Sequence, residues 1–156
     1  MPESEKERLN RELIELLNEL RVVLPGVQVL FAFLLTIPFA RGFTKLGRFD
    51  RDVYFVSLLA TVLATILLIT PSAYHRIVWR HHDKVDLLGI SNKLALAGIA
   101  VLAVALSCSL LMITDFVFGG GIAAVVATVS GVTFASMWFL LPYVGLKRSL
   151  ARRGSE

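Results

Sequence analysis

The side chains best suited to chemistry in this chain are gathered in one stretch between two apolar runs. All three histidines occur there, among carboxylates and cations. The members of this polar cluster are His75, Arg76, Arg80, His81, His82, Asp83, Asp86 and Lys93. Histidine and aspartate can ligate zinc, but these ligands do not fall into closely spaced pairs, and the neighbouring cations would repel a metal ion. We therefore expect neither a metal nor another cofactor at this cluster.

Two interpretations of the polar cluster need no cofactor. In the favoured one, its charges pair with the acidic N-terminal segment and with lipid phosphates. In the alternative, its cations bind an anionic lipid or another anionic ligand at the depth of the headgroups. Both interpretations place the polar chemistry of the protein at the membrane surface, and we expect no enzymatic activity.

A second set of polar side chains recurs at helical spacing inside an apolar run. Ser57, Thr61 and Thr65 are each four residues apart, which places their hydroxyls on one face of a helix. Gln28 is among the most polar residues of the preceding apolar run. Proton-coupled transporters typically need a carboxylate or histidine near the midplane of the membrane, and no apolar run has an ionisable residue at its centre. If the protein conducts a solute, we expect these four side chains to line the path.

Small residues follow one another every four positions in the last apolar run. They are Ala123, Ala127, Gly131 and Ala135. Small residues at this spacing allow two helix backbones to approach closely in lipid. Packing within one copy of the chain is the favoured interpretation, and an interface between copies is the alternative.

The composition indicates that lipid is the solvent of these segments. Of 156 residues, 56% are hydrophobic and 18% are charged, whereas soluble domains are about 45–50% apolar and about 25% charged. An ordinary globular enzyme and a disordered tail are therefore excluded. Four segments reach the roughly 20 residues that cross a bilayer. They are residues 22–40, 53–74, about 87–114 and about 121–145. We predict an all-α membrane protein.

The distribution of cations predicts the orientation of these four spans. With four crossings, twelve of the sixteen lysines and arginines fall on the side of both termini, and four fall on the other side. The positive-inside rule then places both termini in the cytoplasm, in a multi-pass protein of the bacterial inner membrane. Because positive loops are typical of such proteins, the net charge of +4 is no indication of nucleic-acid binding, and we expect none.

The segment before the first span has a different pattern. Its apolar residues alternate steps of four and three, as in a heptad seam. They are Leu9, Leu13, Leu16, Leu20 and Val23. Residues 1–21 hold six glutamates against four cations, which favours packing on another helix over lying on anionic lipid. We predict a cytoplasmic amphipathic helix at 1–21, a four-helix transmembrane bundle at 22–146 and a basic tail at 147–156. Pro25-Gly26 either kinks a continuous helix or ends the first one.

Two stretches carry a resemblance to a known family. LLNELRVVLPGVQVLFAFLLTIPF at 16–39 and ITPSAYHR at 69–76 resemble an uncharacterised, mainly actinobacterial family of small four-span membrane proteins. This resemblance covers most of the chain and implies the same architecture. Some members carry an automatic sodium/proton antiporter label, which the lack of a midplane carboxylate does not support.

The expected function follows from the small size of the protein. Four short spans rarely enclose a path alone, so we expect self-association into a homo-oligomer that forms an ion channel or a small transporter. The alternative is a non-conducting scaffold or accessory subunit, which binds a partner or anionic lipid through its cytoplasmic face.

Overall fold

The computed structural model describes residues 5–78, 84–145 and 147. It consists of four long helices, and two short 3₁₀ turns lie between the first two of them. The helices are α1 (Glu5–Thr36), α2 (Arg48–Val78), α3 (Lys84–Phe118) and α4 (Gly120–Ala135), the last continuing as a π-helical turn over Ser136–Leu140. All four are long and apolar enough to cross a membrane. The prediction of a helical protein with four helices long and apolar enough to span a membrane is therefore confirmed.

Helix α1 contains both the N-terminal helix and the first span, which were predicted from the sequence as separate elements. It runs without interruption through Pro25, so the predicted boundary between residues 21 and 22 is not the end of a helix. The heptad repeat also continues past this boundary, because Leu13, Leu20, Val27 and Leu34, each seven residues apart, are all buried. Pro25 is exposed, so its ring does not interrupt this seam. With 32 residues, α1 is about 48 Å long, which exceeds the roughly 30 Å of hydrocarbon.

Helices α2 and α3 form the central pair of the protein. Each buries residues at alternating steps of three and four, the pattern of left-handed helix packing. Those of α2 are Tyr54, Ser57, Thr61, Ala64, Leu68 and Pro71, and those of α3 are Ser91, Ala95, Gly98, Leu102, Ala105, Ser109 and Met112. Helix α1 packs on both, and Leu20 and Val27 join Ala64, Leu68, Ala95 and Leu102 in one core cluster. The predicted heptad therefore packs within its own chain.

Helix α4 is an outlying element and does not close a four-helix bundle. Within the described part of the chain it contacts α3 and neither α1 nor α2. Ala123 is its one buried residue. The predicted four-helix bundle is thus a three-helix bundle with a fourth helix on the outer side of α3. The predicted basic tail lies, apart from Lys147, outside the described residues.

Helix α2 donates a hydrogen bond to the last part of α1. Pro38 has no backbone N–H and cannot donate to the carbonyl of Leu34, four residues earlier. The buried hydroxyl of Tyr54 donates to that carbonyl instead, at 3.0 Å. The ring of Phe43 packs edge-on against Tyr54, with 5.5 Å between ring centroids. A hydroxyl from α2 therefore satisfies a carbonyl that a proline has freed in α1.

Candidate anion-binding cleft

The predicted row of hydroxyls lies between α2 and α3. Ser57 and Thr61 are both 0% exposed. The Ser57 Oγ lies 2.9 Å from the carbonyl oxygen of Ala105 and 2.7 Å from the Ser109 Oγ. Thr61 and Thr65 each donate to the carbonyl four residues earlier, at 2.8 Å. In a single copy of the chain, the hydroxyl of Ser57 therefore joins α2 to α3, whereas those of Thr61 and Thr65 are satisfied within α2.

The predicted row of small residues begins on the face of α4 that meets α3. Ala123 is 0% exposed, and Ala127 and Gly131 are half-buried. A Cβ on Gly131 would lie 3.9 Å from the Ser107 Oγ of α3. Ala135, at the end of the row, is exposed. Most of this row thus packs inside the chain.

The structure describes part of the predicted polar cluster. Arg80, His81, His82 and Asp83 lie outside the described residues, and Asp86 belongs to α3 but its side chain is likewise not described. His75 and Arg76 lie in the last turn of α2, and Lys93 is exposed on α3. His75 and Arg76 line a cleft between α1 and α2.

An open cleft of about 730 Å³ lies between α1 and α2. Its polar lining consists of Arg21, Gln28, Ser72, His75 and Arg76. All of these except the half-buried His75 are exposed. The cleft therefore brings Gln28, predicted as part of a conduction path, next to His75 and Arg76, predicted as part of the polar cluster.

The charge of the cleft favours an anion. Arg21 and Arg76 contribute a guanidinium from each of the two helices, and none of the described residues that line the cleft is acidic. A guanidinium binds phosphate or carboxylate through two parallel N–H donors. Gln28 and Ser72 add neutral donors. The lining of the cleft therefore favours an anionic ligand.

Helix periodicity explains how these residues meet. Arg21, Pro25 and Gln28 are spaced by four and three residues along one face of α1, and Ser72 and Arg76 are four apart on α2. The burial of Leu20 and Val27 on the neighbouring face of α1 directs the first face towards the cleft. From the sequence alone, Arg21 contributed to the distribution of cations, and Pro25-Gly26 was predicted either to kink a continuous helix or to end the first one. The spacing of four and three residues from Arg21 through Pro25 to Gln28 is the sequence signal that places all three on one face of a helix.

Comparison with known proteins identifies a family but no activity. The model of DUF6328, a family of unknown function, matches residues 2–142. No curated protein matches the chain. No solved structure matches it either.

Proposed function

We propose that this chain, which belongs to the DUF6328 family of unknown function, is a non-conducting membrane protein that binds an anionic lipid at its charged end. The charged end is the one at which Arg76 lies in the last turn of α2 and Arg21 precedes the apolar part of α1. By the positive-inside rule it faces the cytoplasm of a bacterial cell. The protein then acts as a scaffold or accessory subunit that holds the lipid.

The observation that carries this proposal is the chemistry of the cleft lining. Arg21 and Arg76 supply positive charge, while Leu17, Leu24 and Pro25 supply apolar surface beside it. A lipid combines a charged phosphate with a hydrocarbon chain, so it can satisfy both parts of the lining. A small soluble anion would use only the first part.

The depth of the two arginines is that of lipid headgroups. After Arg21, the next charged residue of the chain is Arg41, and between Asp52 and Arg76 there is none. Both arginines therefore mark the end of an uncharged run long enough to cross the hydrocarbon. Basic pockets between transmembrane helices on the cytoplasmic side bind anionic headgroups.

The double variant Arg21→Gln/Arg76→Gln tests the proposal. We expect it to weaken the binding of dioleoyl phosphatidylethanol, a lipid with one negative charge, at least tenfold, because each hydrogen bond to a charged group contributes about 1.5–3 kcal/mol. Binding is measured by titrating the lipid into the detergent-solubilised protein and recording native mass spectra.

Two controls accompany this titration. Arg41→Gln/Arg48→Gln removes the same charge at the opposite end, where both arginines are exposed, and should bind the lipid as the unaltered chain does. Dioleoyl phosphatidylcholine, which has no net charge, should bind more weakly than phosphatidylethanol. Equal affinity of the two double variants for phosphatidylethanol would refute the site.

A conducting homo-oligomer is the second candidate function. The observation that favours it is the position of α4, which contacts α3 and no other described helix and so leaves its outer surface available to a second copy. We expect purified protein in liposomes then to release potassium, sodium or protons down an imposed gradient. If no flux of any of these ions exceeds that of empty liposomes, this candidate is rejected.

A further inference from the structure

Two carboxyl groups meet at the end of the protein opposite the cleft. Asp50 lies in the first turn of α2, and Asp115 lies near the end of α3. Because α2 and α3 run antiparallel, the Asp50 carboxyl lies within hydrogen-bonding reach of the Asp115 carboxyl. The Oδ1 atom of Asp50 is buried, and no donor among the described residues reaches it. Two ionised carboxylates would repel each other and leave this atom unsatisfied.

In the described part of the chain, no cation forms an ion pair with either carboxyl. Asp115 is the one charged residue between Lys93 and Lys147, so α3 and α4 bring no cation to this end. The guanidinium of Arg51 donates to the carbonyl oxygen of Thr44 instead, at 3.1 Å. The other charged residues of the link and of the first turn of α2 are exposed. They are Arg41, Lys45, Arg48 and Asp52.

The junction of α3 and α4 favours a negative charge on Asp115. Its carbonyl oxygen accepts the N–H of Gly119 at 2.9 Å, where the chain turns into α4. A Cβ on Gly120, the first residue of α4, would lie 3.4 Å from the Oδ1 of Asp115. The N–H groups at a helix N-terminus stabilise a negative charge beside them. Asp115 can therefore stay ionised next to a protonated Asp50.

We propose that Asp50 and Asp115 share one proton, which joins the start of α2 to the junction of α3 and α4 in a pH-sensitive contact. The proton satisfies the buried Oδ1 of Asp50 and replaces a repulsion by a hydrogen bond to a charged group. In the unfolded chain the two carboxyls are apart and lose their protons near pH 4. Above that pH folding takes up a proton, so stability falls with rising pH until the pair is fully ionised.

Asp50→Asn tests the shared proton in the full-length protein. The amide of asparagine donates to Asp115 without a titratable proton, so this variant should lose the fall in stability. Between about pH 4.5 and pH 7.5, we expect the melting temperature in detergent to fall about 4 °C further for the unaltered chain than for the variant. At about pH 5.5, where ordinary carboxyls are ionised, an infrared band of a protonated carboxylic acid should be present in the unaltered chain and absent from Asp50→Asn.

Two further variants make the test specific to the pair. Asp52→Asn removes the same charge at an exposed position of the same helix and should keep the pH dependence of the unaltered chain. Asp115→Asn should lose the same fall in stability as Asp50→Asn, because the proton belongs to both carboxyls. The proposal is overturned if Asp50→Asn keeps both the infrared band and the pH dependence of the unaltered chain. It is also overturned if Asp115→Asn keeps the full fall, since Asp50 would then titrate alone.

Discussion

Replacing Gly98 with leucine should abolish folding of the bundle, because α2 and α3 leave no space for a side chain at this position. A Cβ on Gly98 would lie 2.7 Å from the Cγ of Leu68 and 3.3 Å from the Cβ of Leu67. Leu68 is 0% exposed and belongs to the central core cluster, so it cannot move away into solvent. The expected result is the loss of a monodisperse peak in detergent size-exclusion chromatography.

A graded series separates overpacking from a general effect of the substitution. Gly98→Ala should destabilise the protein by about 1–3 kcal/mol, which is usual for an overpacked core, and Leu68→Ala should recover part of that loss in the double variant. Gly89→Leu is the matched control on the same helix, since a Cβ at Gly89 has no neighbour within 4 Å. A Gly98→Leu protein that melts at the temperature of the unaltered chain would contradict this close packing.

Leu20→Asp has the second large expected effect, a loss of about 3 kcal/mol of stability. Leu20 is 3% exposed and packs in one cluster with residues of α2 and α3. A carboxylate placed there is removed from water without a partner, and the short aspartate side chain cannot extend to the headgroups. A translocon-based scale assigns aspartate at the centre of a membrane helix a cost of similar size. Thermal unfolding in detergent measures the difference.

Ile14→Asp is the control for this prediction, because Ile14 is 59% exposed on the same helix. Its substitution should change the melting temperature little. If Leu20→Asp is tolerated equally well, α1 does not pack against its own bundle around this position, and its heptad is free to bind a partner.

The described structure changes the interpretation of the N-terminal heptad. Its acidic composition and its apolar seam indicated packing against another helix, and that helix could belong to another subunit. The seam continues from Leu13 through Leu20 and Val27 to Leu34. Leu20 and Val27 pack with residues of α2 and α3, and Leu34 packs with Tyr54 and Met112, so the seam packs on its own chain from Leu20 to Leu34. Helix α1 therefore belongs to the bundle and carries one wall of the cleft.

Several features were predictable because they depend on local sequence. A hydrocarbon layer of roughly 30 Å requires about 20 apolar residues per helix, so length and hydropathy were enough to predict four spans. Charged residues are excluded from the hydrocarbon, so the clustering of cations at the helix ends was equally predictable. The seven-residue repeat of α1 was visible as well, since it depends on spacing alone.

The faces that the helices present to one another were not predictable. In lipid, an apolar face gains no hydrophobic free energy by meeting another helix. A face that contacts lipid and a face that packs on a helix are therefore both apolar, and their sequences do not distinguish them. The hydroxyl of Ser57 could therefore line a path or join two helices, and the structure places it against the Ala105 carbonyl and the Ser109 hydroxyl of α3. Helix α4 is apolar all round, so its sequence does not indicate that it packs on the outer side of α3.

The cleft depends most strongly on tertiary packing. Arg21 and Arg76 are separated by 54 intervening residues, and they line one cleft because α1 and α2 run antiparallel in the register that the burial of Leu20 and Leu68 sets. Sequence spacing determines which side chains share a face of one helix. Which faces of two helices then meet depends on the packing of close-fitting side chains across the bundle, and that is a property of all three helices together.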